Sequence, residues 1–438
     1  MTSHSSRTRH SSIISRTPFF YGWVILAVSA LANFISSPGQ TFLVSVFIDP
    51  IISELGWSRT LVSSLYTAGS LTAGVAVIFV GRLLDRYGAR IMLLAVGVLF
   101  GLAAFWMSTV DHPVKLYVGF AALRTLGQGS LGLITSTLIA LWFMRLRGRA
   151  MAIGGIGGAI AVATFPVMAH ALISYTGWRN AWVVLALAIW VVLVPIVLLV
   201  RRSPESVGLL PDGKPAQQLK EQAVGAREST AQEVDFSLSE ALHTRAFWLL
   251  LFATSSLPLI GTGLSFHQIS FLASKGIQAG VATAVFSVMG PSQLLGTFIA
   301  GFMADRFPNR YLIVLGQVLL GMAMLWTFLI TSSWQAFTYG ALLGLSMGFV
   351  MNVAAVIWPN YYGRLHLGSI RGVTTASMVA IAALGPLPFG LMYDITGDYS
   401  LAILVLLALP VSCAVAAFLA HPPKKRRSEG ISFGQTSS

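Results

Sequence analysis

Apolar stretches of about 20 residues, long enough to cross a bilayer core as helices, recur along this chain near 20–48, 58–80, 91–109, 115–143, 150–173, 181–200, 246–272, 280–303, 311–331, 335–358, 370–393 and 400–420. Few folds accept such a chain. In hydrocarbon every backbone N–H and C=O must be satisfied internally, which leaves helices or a closed barrel. Barrel strands alternate polar and apolar residues, and these stretches do not. The predicted class is therefore all-α, a polytopic membrane protein with twelve transmembrane helices. Charged residues make up only 10% of the chain, against about 25% in a soluble domain, too few to cover a soluble surface of this size.

The net charge of +13 suggests nucleic acid until it is mapped onto the stretches. With both termini placed on the cytoplasmic side, the outer loops hold only Arg59, Lys115, Arg179 and Lys275, and Arg124 lies within a stretch. The cytoplasmic segments then hold 23 of the 28 Lys and Arg. That asymmetry is the positive-inside rule. It orients a multi-pass protein in the cytoplasmic (cell inner) membrane and brings contact with anionic lipid, with no nucleic-acid partner expected. The single cysteine, Cys413, excludes an intrachain disulfide.

The chain also repeats itself. Gly81-Arg82-Leu83-Leu84-Asp85-Arg86-Tyr87-Gly88-Ala89-Arg90 and Gly301-Phe302-Met303-Ala304-Asp305-Arg306-Phe307-Pro308-Asn309-Arg310 share one GxxxDRxxxR pattern, 220 residues apart. At the same offset Pro38 matches Pro258, Pro166 matches Pro386, and Thr176-Gly177 matches Thr396-Gly397. The domains expected are a tail (1–19), a six-helix bundle (20–200), a solvated linker rich in Pro and charge (201–245), a second six-helix bundle (246–420) and a C-terminal tail (421–438), with linker and tails cytoplasmic. Ser237 and Glu240 are spaced to cap a short helix leading into the seventh span. Two pseudo-symmetric halves place a small-molecule site near the midplane between them.

Arg124 is the only charge deep inside a span, roughly 13 Å from the outer end at 1.5 Å per residue. An intramembrane cation marks a functional site by default. Two readings of Arg124 stand: partner of an anionic substrate or of proton coupling, and structural lock on neighbouring carbonyls. The acids fall in loops or at helix ends, the nearest to a core being Asp49 at the end of the first span. The further polar candidates are Asn33 and Gln40 in the first span, His267 and Gln268 in the seventh, Gln293 in the eighth and Asn352 in the tenth. Pro38 and Pro258 break the first and seventh spans at matching positions, the pattern that points to a transporter site. His267 is suited to carry a proton or bind a carboxylate; the alternative is a hydrogen-bonded gate residue. His170 is read as structural, and Gln317 as facing a neighbouring helix. Gly154 and Gly158 form a GxxxG pair that favours close helix packing. No metal-ligand cluster and no nucleophile–base pair occurs at matched depth, so no catalytic residue, metal or cofactor is expected.

The two GxxxDRxxxR cassettes resemble the loop 2–3 and loop 8–9 signature of the major facilitator superfamily. Arg124-Thr125-Leu126-Gly127-Gln128-Gly129 resembles its fourth-helix arginine motif. Gly81 and Gly301 would let the cassette loops turn tightly. By this resemblance Asp85 faces the start of the eleventh span near Arg371, and Asp305 the start of the fifth near Arg149. Gly81, Asp85, Arg86, Arg90, Gly301, Asp305, Arg306 and Arg310 then act as a gate that forms when the cytoplasmic side is closed. Tyr21-Gly22-Trp23, Leu55-Gly56-Trp57-Ser58-Arg59, Arg147-Gly148-Arg149-Ala150 and Gly177-Trp178-Arg179 are similar to the monocarboxylate-porter and oxalate–formate-antiporter branch. One departure stands out. Where porters of that branch carry an eighth-span arginine and an aspartate one turn earlier, alignment on Gly296 gives Ser292 and Val288. The eleventh span also lacks the lysine of dicarboxylate exchange.

The resemblance implies a monomeric secondary active transporter, not an enzyme. It would move a small organic anion of carboxylate type by alternating access, driven by protons through His267, Asp49 or the substrate itself. An exporter of neutral or amphipathic compounds is the alternative, and a non-transporting membrane receptor a more distant one.

Overall fold

The computed structural model describes residues 20–143, 147–201, 204, 236–304, 306–363 and 367–423; the side chains at 85, 147–149, 152 and 367–369 lie outside this description. The N-terminal tail and most of the C-terminal tail and of the segment expected as linker therefore fall outside it.

The described chain is helical, with no strand among the described residues. Twelve spans follow: α1 (22–55), α2 (59–87), α3 (89–107), α4 (113–142), α5 (147–176), α6 (178–199), α7 (Arg245–Ser274), α8 (Ala279–Ala304), α9 (Asn309–Leu329), α10 (Ser333–Tyr362), α11 (Ile370–Thr396) and α12 (Ser400–Leu419). Nine stretches are long and apolar enough to cross a membrane as they stand. One of them is α5 and α6 read through a break at Gly177, while α1 and α4 are divided by changes of helix type. An even number of crossings puts the start of α1 and the end of α12 at one end of the bundle, called here the terminal end; the turns at 56–58 and 397–399 belong to the far end. Large apolar side chains such as Phe298, Leu198 and Val191 are more exposed than buried, as a lipid-facing surface requires.

The sequence repeat is also a structural one. Gly56 and Gly276 both end a span with positive φ (68° and 79°), as do Gly177 and Gly397 (79° and 73°). Only glycine takes that conformation without strain. The Trp106 indole donates to the Lys115 carbonyl at 3.0 Å, and the Trp326 indole donates to the Gln335 carbonyl at 3.0 Å. Both are the same bond, 220 positions apart. Ser237 and Glu240 form the expected capping box on the helix Leu238–Leu242, which leads into α7.

Two expectations are corrected. Gly81 and Gly301 do not turn the cassette loops: both lie inside helices. The first turn is made instead at Gly88, with φ 79°. A Cβ at Gly81 or Gly301 would meet its nearest neighbour at 3.8 or 3.9 Å, ordinary contact distances. In α5, Gly158 faces open space, so Gly154 and Gly158 do not form one tight face. The close approach is made by Gly157, where a Cβ would overlap the Ala30 carbonyl of α1.

Packing differs between the two ends. One continuous buried cluster runs from Ile25 and Phe47 in the first half to Phe266, Phe389 and Tyr399 in the second. A separate cluster around Phe247, Trp358 and Tyr362 belongs to the terminal end of the second half alone. The hydrogen bonds described between the halves include Arg59–Ser270, Asp49–Ser270, Thr60–Asp394, Ser63–His267, Thr67–Ala383 and Ser287–Ala163. None of these reaches nearer the terminal end than the turn of α2 holding Thr67. Among the described residues, the hydrogen bonds between the halves gather toward the far end.

Candidate functional site

Arg124 sits where two spans leave regular α-helix. In α1 the segment Ser37–Gly39 winds as a 3-10 turn around Pro38. In α4, Arg124–Leu131 forms a π-helical stretch, a distortion that recurs at functional sites. The two meet at Gly39, where a Cβ would overlap the Leu123 carbonyl. This approach aims the guanidinium of α4 at the break in α1. Nη1 of Arg124 donates to the Gly39 carbonyl and to Thr41 Oγ1, each at 3.3 Å. The guanidinium lies 5.1 Å from the Tyr66 ring centre, and the Tyr66 hydroxyl meets Thr41 Oγ1 at 2.7 Å.

Arg124 is only 6% exposed, yet no carboxylate pairs with it among the described residues. The ion pairs described, Arg59–Asp49, Lys115–Asp111 and Arg179–Glu54, all lie at the far end. Nε and Nη2 of Arg124 donate to no described protein group. A planar fork with two free donor nitrogens is the shape that binds a carboxylate through two hydrogen bonds. The second half closes on this site through Phe266, whose ring centre is 4.5 Å from that of Tyr66, and through Phe286, 6.4 Å from Phe42.

His267 lies elsewhere. It is buried, with Nε2 3.0 Å from the Pro386 carbonyl and 3.3 Å from Ser63 Oγ, and Nδ1 3.3 Å from the Tyr399 hydroxyl. A carbonyl only accepts, so Nε2 carries the hydrogen. A hydroxyl both donates and accepts, so Nδ1 keeps its partner whether or not it is protonated. No described contact joins His267 to Arg124. In the turn ahead of α12, Asp398 accepts from the Tyr399 N–H at 2.7 Å. Burial pushes the Asp398 carboxyl up, and hydrogen bonds from Ser400 and the Tyr399 N–H outweigh it, holding the group below the usual carboxylate range. It therefore stays ionised at neutral pH and holds the Tyr399 backbone at the start of α12.

The remaining candidates scatter. Asn33 donates to the Gly154 carbonyl at 3.1 Å and accepts from Thr135 at 3.0 Å, tying α1 to α5 and α4. Among the described residues, Gln40 donates to Ser36 Oγ at 3.3 Å. Gln268 donates to the Ala282 carbonyl at 3.3 Å and leaves a buried oxygen unpaired. Gln293 contacts the Met351 sulfur at 3.8 Å, and the Asn352 side-chain oxygen is buried without a partner. Gln317 bridges to α7 through Ser256 and the Ala253 carbonyl. In the cassettes, Arg86, Arg306 and Arg310 lie over the rings of Tyr87, Phe302 and Tyr311 at 5.4, 4.1 and 4.7 Å, and Arg90 is exposed. The Asp85 and Arg149 side chains and all of Asp305 fall outside the described residues, and with them the expected gate contacts.

Sequence reasoning missed the far-end lock. Nη1 of Arg59 donates to Asp49 and to Ser270, each at 2.6 Å, and Ser270 donates to the same Asp49 oxygen at 2.6 Å. Arg59 also lies 4.7 Å from the Tyr393 ring centre. Asp394 of the second half caps α2 by accepting from the Thr60 N–H at 2.8 Å. The available signal was a pair of opposite charges, Asp49 and Arg59, flanking the glycine turn at Gly56.

The sequence profile of the Major Facilitator Superfamily matches residues 26–291 and 269–436. Monocarboxylate transporter 2 of Homo sapiens is 23% identical over 400 residues, 86% of this chain and 81% of that protein. The oxalate:formate antiporter of Oxalobacter formigenes is 25% identical over 299 residues, 66% of this chain and 64% of that protein. Among solved structures, a D-xylose-proton symporter superposes with a TM-score of 0.72 at 14% identity, covering 92% of this chain and 98% of that one. At that identity the likeness is one of fold.

Proposed function

Since the chain belongs to the Major Facilitator Superfamily, and is on that ground a multi-pass membrane transporter and not an enzyme, we propose that it carries a small organic anion of carboxylate type by alternating access, coupled to protons. The observation that carries this reading is Arg124: a buried guanidinium with no described counter-ion and two free donor nitrogens. A cation in that position is costly, and an anion that neutralises it recovers much of the cost. The names of two relatives, a monocarboxylate transporter and an oxalate:formate antiporter, point to the same chemistry.

The mechanism follows from the asymmetry of the two ends. The positive-inside bias supports placing the terminal end in the cytoplasm; with the described hydrogen bonds between the halves gathered at the far end, we read the state as inward-facing. The substrate carboxylate takes Nε and Nη2 of Arg124, while Gly39, Thr41 and Tyr66 hold the guanidinium in place. Opening to the outside requires the Arg59–Asp49–Ser270 lock and the Ser63–His267 contact to part. A proton on His267 places a second cation near Arg59 and favours that parting; Asp49 is the other acceptor within the lock. The cytoplasmic lock then falls to the cassette aspartates Asp85 and Asp305.

Uptake into proteoliposomes tests the reading. A monocarboxylate should accumulate under an inward proton gradient, stop on addition of protonophore, and lose its pH response in His267→Gln. Uptake indifferent to the gradient removes the proton coupling. Uptake of neutral solutes with none of acids removes the anion.

A further inference from the structure

A cavity of about 790 Å³ opens on the flank of the first half at its terminal end. It lies between the start of α3 and the end of α6, well away from Arg124. Its wall is mostly aliphatic: Ile91, Leu94 and Leu198 line it, and they are 58%, 42% and 65% exposed. Apolar side chains that open, on a membrane-spanning flank, face acyl chains. Two arginines stand at its rim, Arg90 from α3 and Arg201 just beyond α6, and no carboxylate lines it among the described residues.

The backbone explains why both charges end there. Gly88, with φ 79°, turns the chain sharply between α2 and α3 and leaves Arg90 on the first turn of the new helix. At the end of α6, Pro195 removes one backbone donor and the helix tightens into the 3-10 turn Val197–Leu199. Arg201 then folds back over that turn, with Nη1 donating to the Leu198 carbonyl at 2.7 Å and to the Val200 carbonyl at 3.1 Å. Its Nε and Nη2 donate to no described protein group, and neither does the Arg90 guanidinium. Both charges reach the Tyr21 hydroxyl, which donates to the Leu199 carbonyl at 2.8 Å: burial pushes that hydroxyl up from its ordinary range, and Arg201 and Arg90 offset part of the rise.

We propose that this groove is a binding site for an anionic phospholipid. Arg90 and Arg201 take the phosphodiester oxygens at the headgroup depth, and one acyl chain lies along Ile91, Leu94 and Leu198. The occupant is a lipid and not a free phosphate, because the larger part of the wall is aliphatic and reaches below the two charges. A zwitterionic lipid would bring its own cation to a rim that already holds two. A general attraction of basic loops for an anionic surface would spread over every terminal-end arginine; this geometry concentrates it on two.

The test uses the full chain in nanodiscs of phosphatidylcholine doped with phosphatidylglycerol, with retained lipid counted by native mass spectrometry after extraction. The wild type should retain phosphatidylglycerol in preference to phosphatidylcholine. Each of Arg90→Gln and Arg201→Gln should weaken retention roughly five-fold, from the ~1 kcal/mol that one arginine contributes at a membrane surface. Leu198→Trp, which fills the groove and keeps both charges, should also displace the lipid. The control pair Arg82→Gln and Arg245→Gln should not. Equal losses from the control pair, or retention that ignores headgroup charge, would overturn the proposal. So would competition by millimolar glycerol 3-phosphate, which would mark a free-phosphate site. If the arginine variants do not fold, Leu198→Trp decides alone: undiminished retention counts against the site.

Discussion

The two halves of this transporter are copies at their turns and part company at the charged position in the interior. Gly56 and Gly276, Gly177 and Gly397, and the indole bonds of Trp106 and Trp326 repeat at a constant offset. The interior position of Arg124 corresponds, at that offset, to Gly344. Arg124 lies in a π-helical stretch and its side chain is held by a broken α1. Gly344 lies in an unbroken α10, packed so tightly on α8 that a Cβ would overlap the Met289 carbonyl. The frame is therefore shared, and the two halves differ at this interior position. The first half holds the charge; the second faces it with Phe266 and Phe286 and adds Ser270 to the Arg59–Asp49 pair of the far-end lock.

The sharpest way to break this comparison is to remove the charge that one half has. Arg124→Gln should fold and lose transport by a factor of at least about 30, matching the 2–5 kcal/mol of a lost buried charge contact. Arg124→Lys should recover little, since an ammonium cannot present a planar fork. Transport by Arg124→Gln at the wild-type rate would show that the charge is neither ligand nor lock. The converse change, Gly344→Ala, should act on stability and not on anion selectivity. Overpacking of this kind costs about 1–3 kcal/mol, readable as a lower midpoint of thermal unfolding with the ratio of acid to neutral uptake unchanged.

A smaller effect is expected at the lock. Asp49→Asn leaves Arg59 its hydrogen bond to Ser270 and removes only the ionic part of a partly exposed pair, about 1 kcal/mol or less. Distances across the far end, measured between spin labels on α1 and α7, should shift toward a wider population. An unchanged distribution would mean that the lock does not set the equilibrium. The smallest effect tests the repeat itself. Trp106→Phe and Trp326→Phe each remove one bond of the duplicated frame, worth about 1 kcal/mol, and the two losses should be nearly equal.

Much of this was legible in the sequence because hydrophobic runs, glycine turns and prolines act locally. The spans, the repeat, the capping box at Ser237 and the breaks at Pro38 and Pro258 follow from such signals. The first break winds as a 3-10 turn and the second opens as the π-turn Leu257–Gly261. Arg124 was visible as a charge out of place. That its fork is free was not, because this depends on which residues a folded α1 brings near. The lock was hidden for a related reason. Asp49 and Arg59 read as the margins of a loop, whereas α1 runs through Pro50 to Leu55 and α2 begins at Arg59 itself. Helical geometry moved both charges into the bundle, and Ser270 comes from the other half of the chain. Gly81 misled because a glycine beside charges resembles a turn; the helix continues past it to Tyr87, and Gly88 makes the bend.

The central claim is that the free nitrogens of Arg124 receive the substrate's carboxylate. Its most direct test is calorimetric binding of short-chain and aromatic monocarboxylates, each beside its neutral amide, to purified wild type and Arg124→Gln. The account predicts that acids bind the wild type, that amides do not, and that the variant binds neither. Acid binding undiminished in Arg124→Gln, or amides that bind as well as acids, would contradict it.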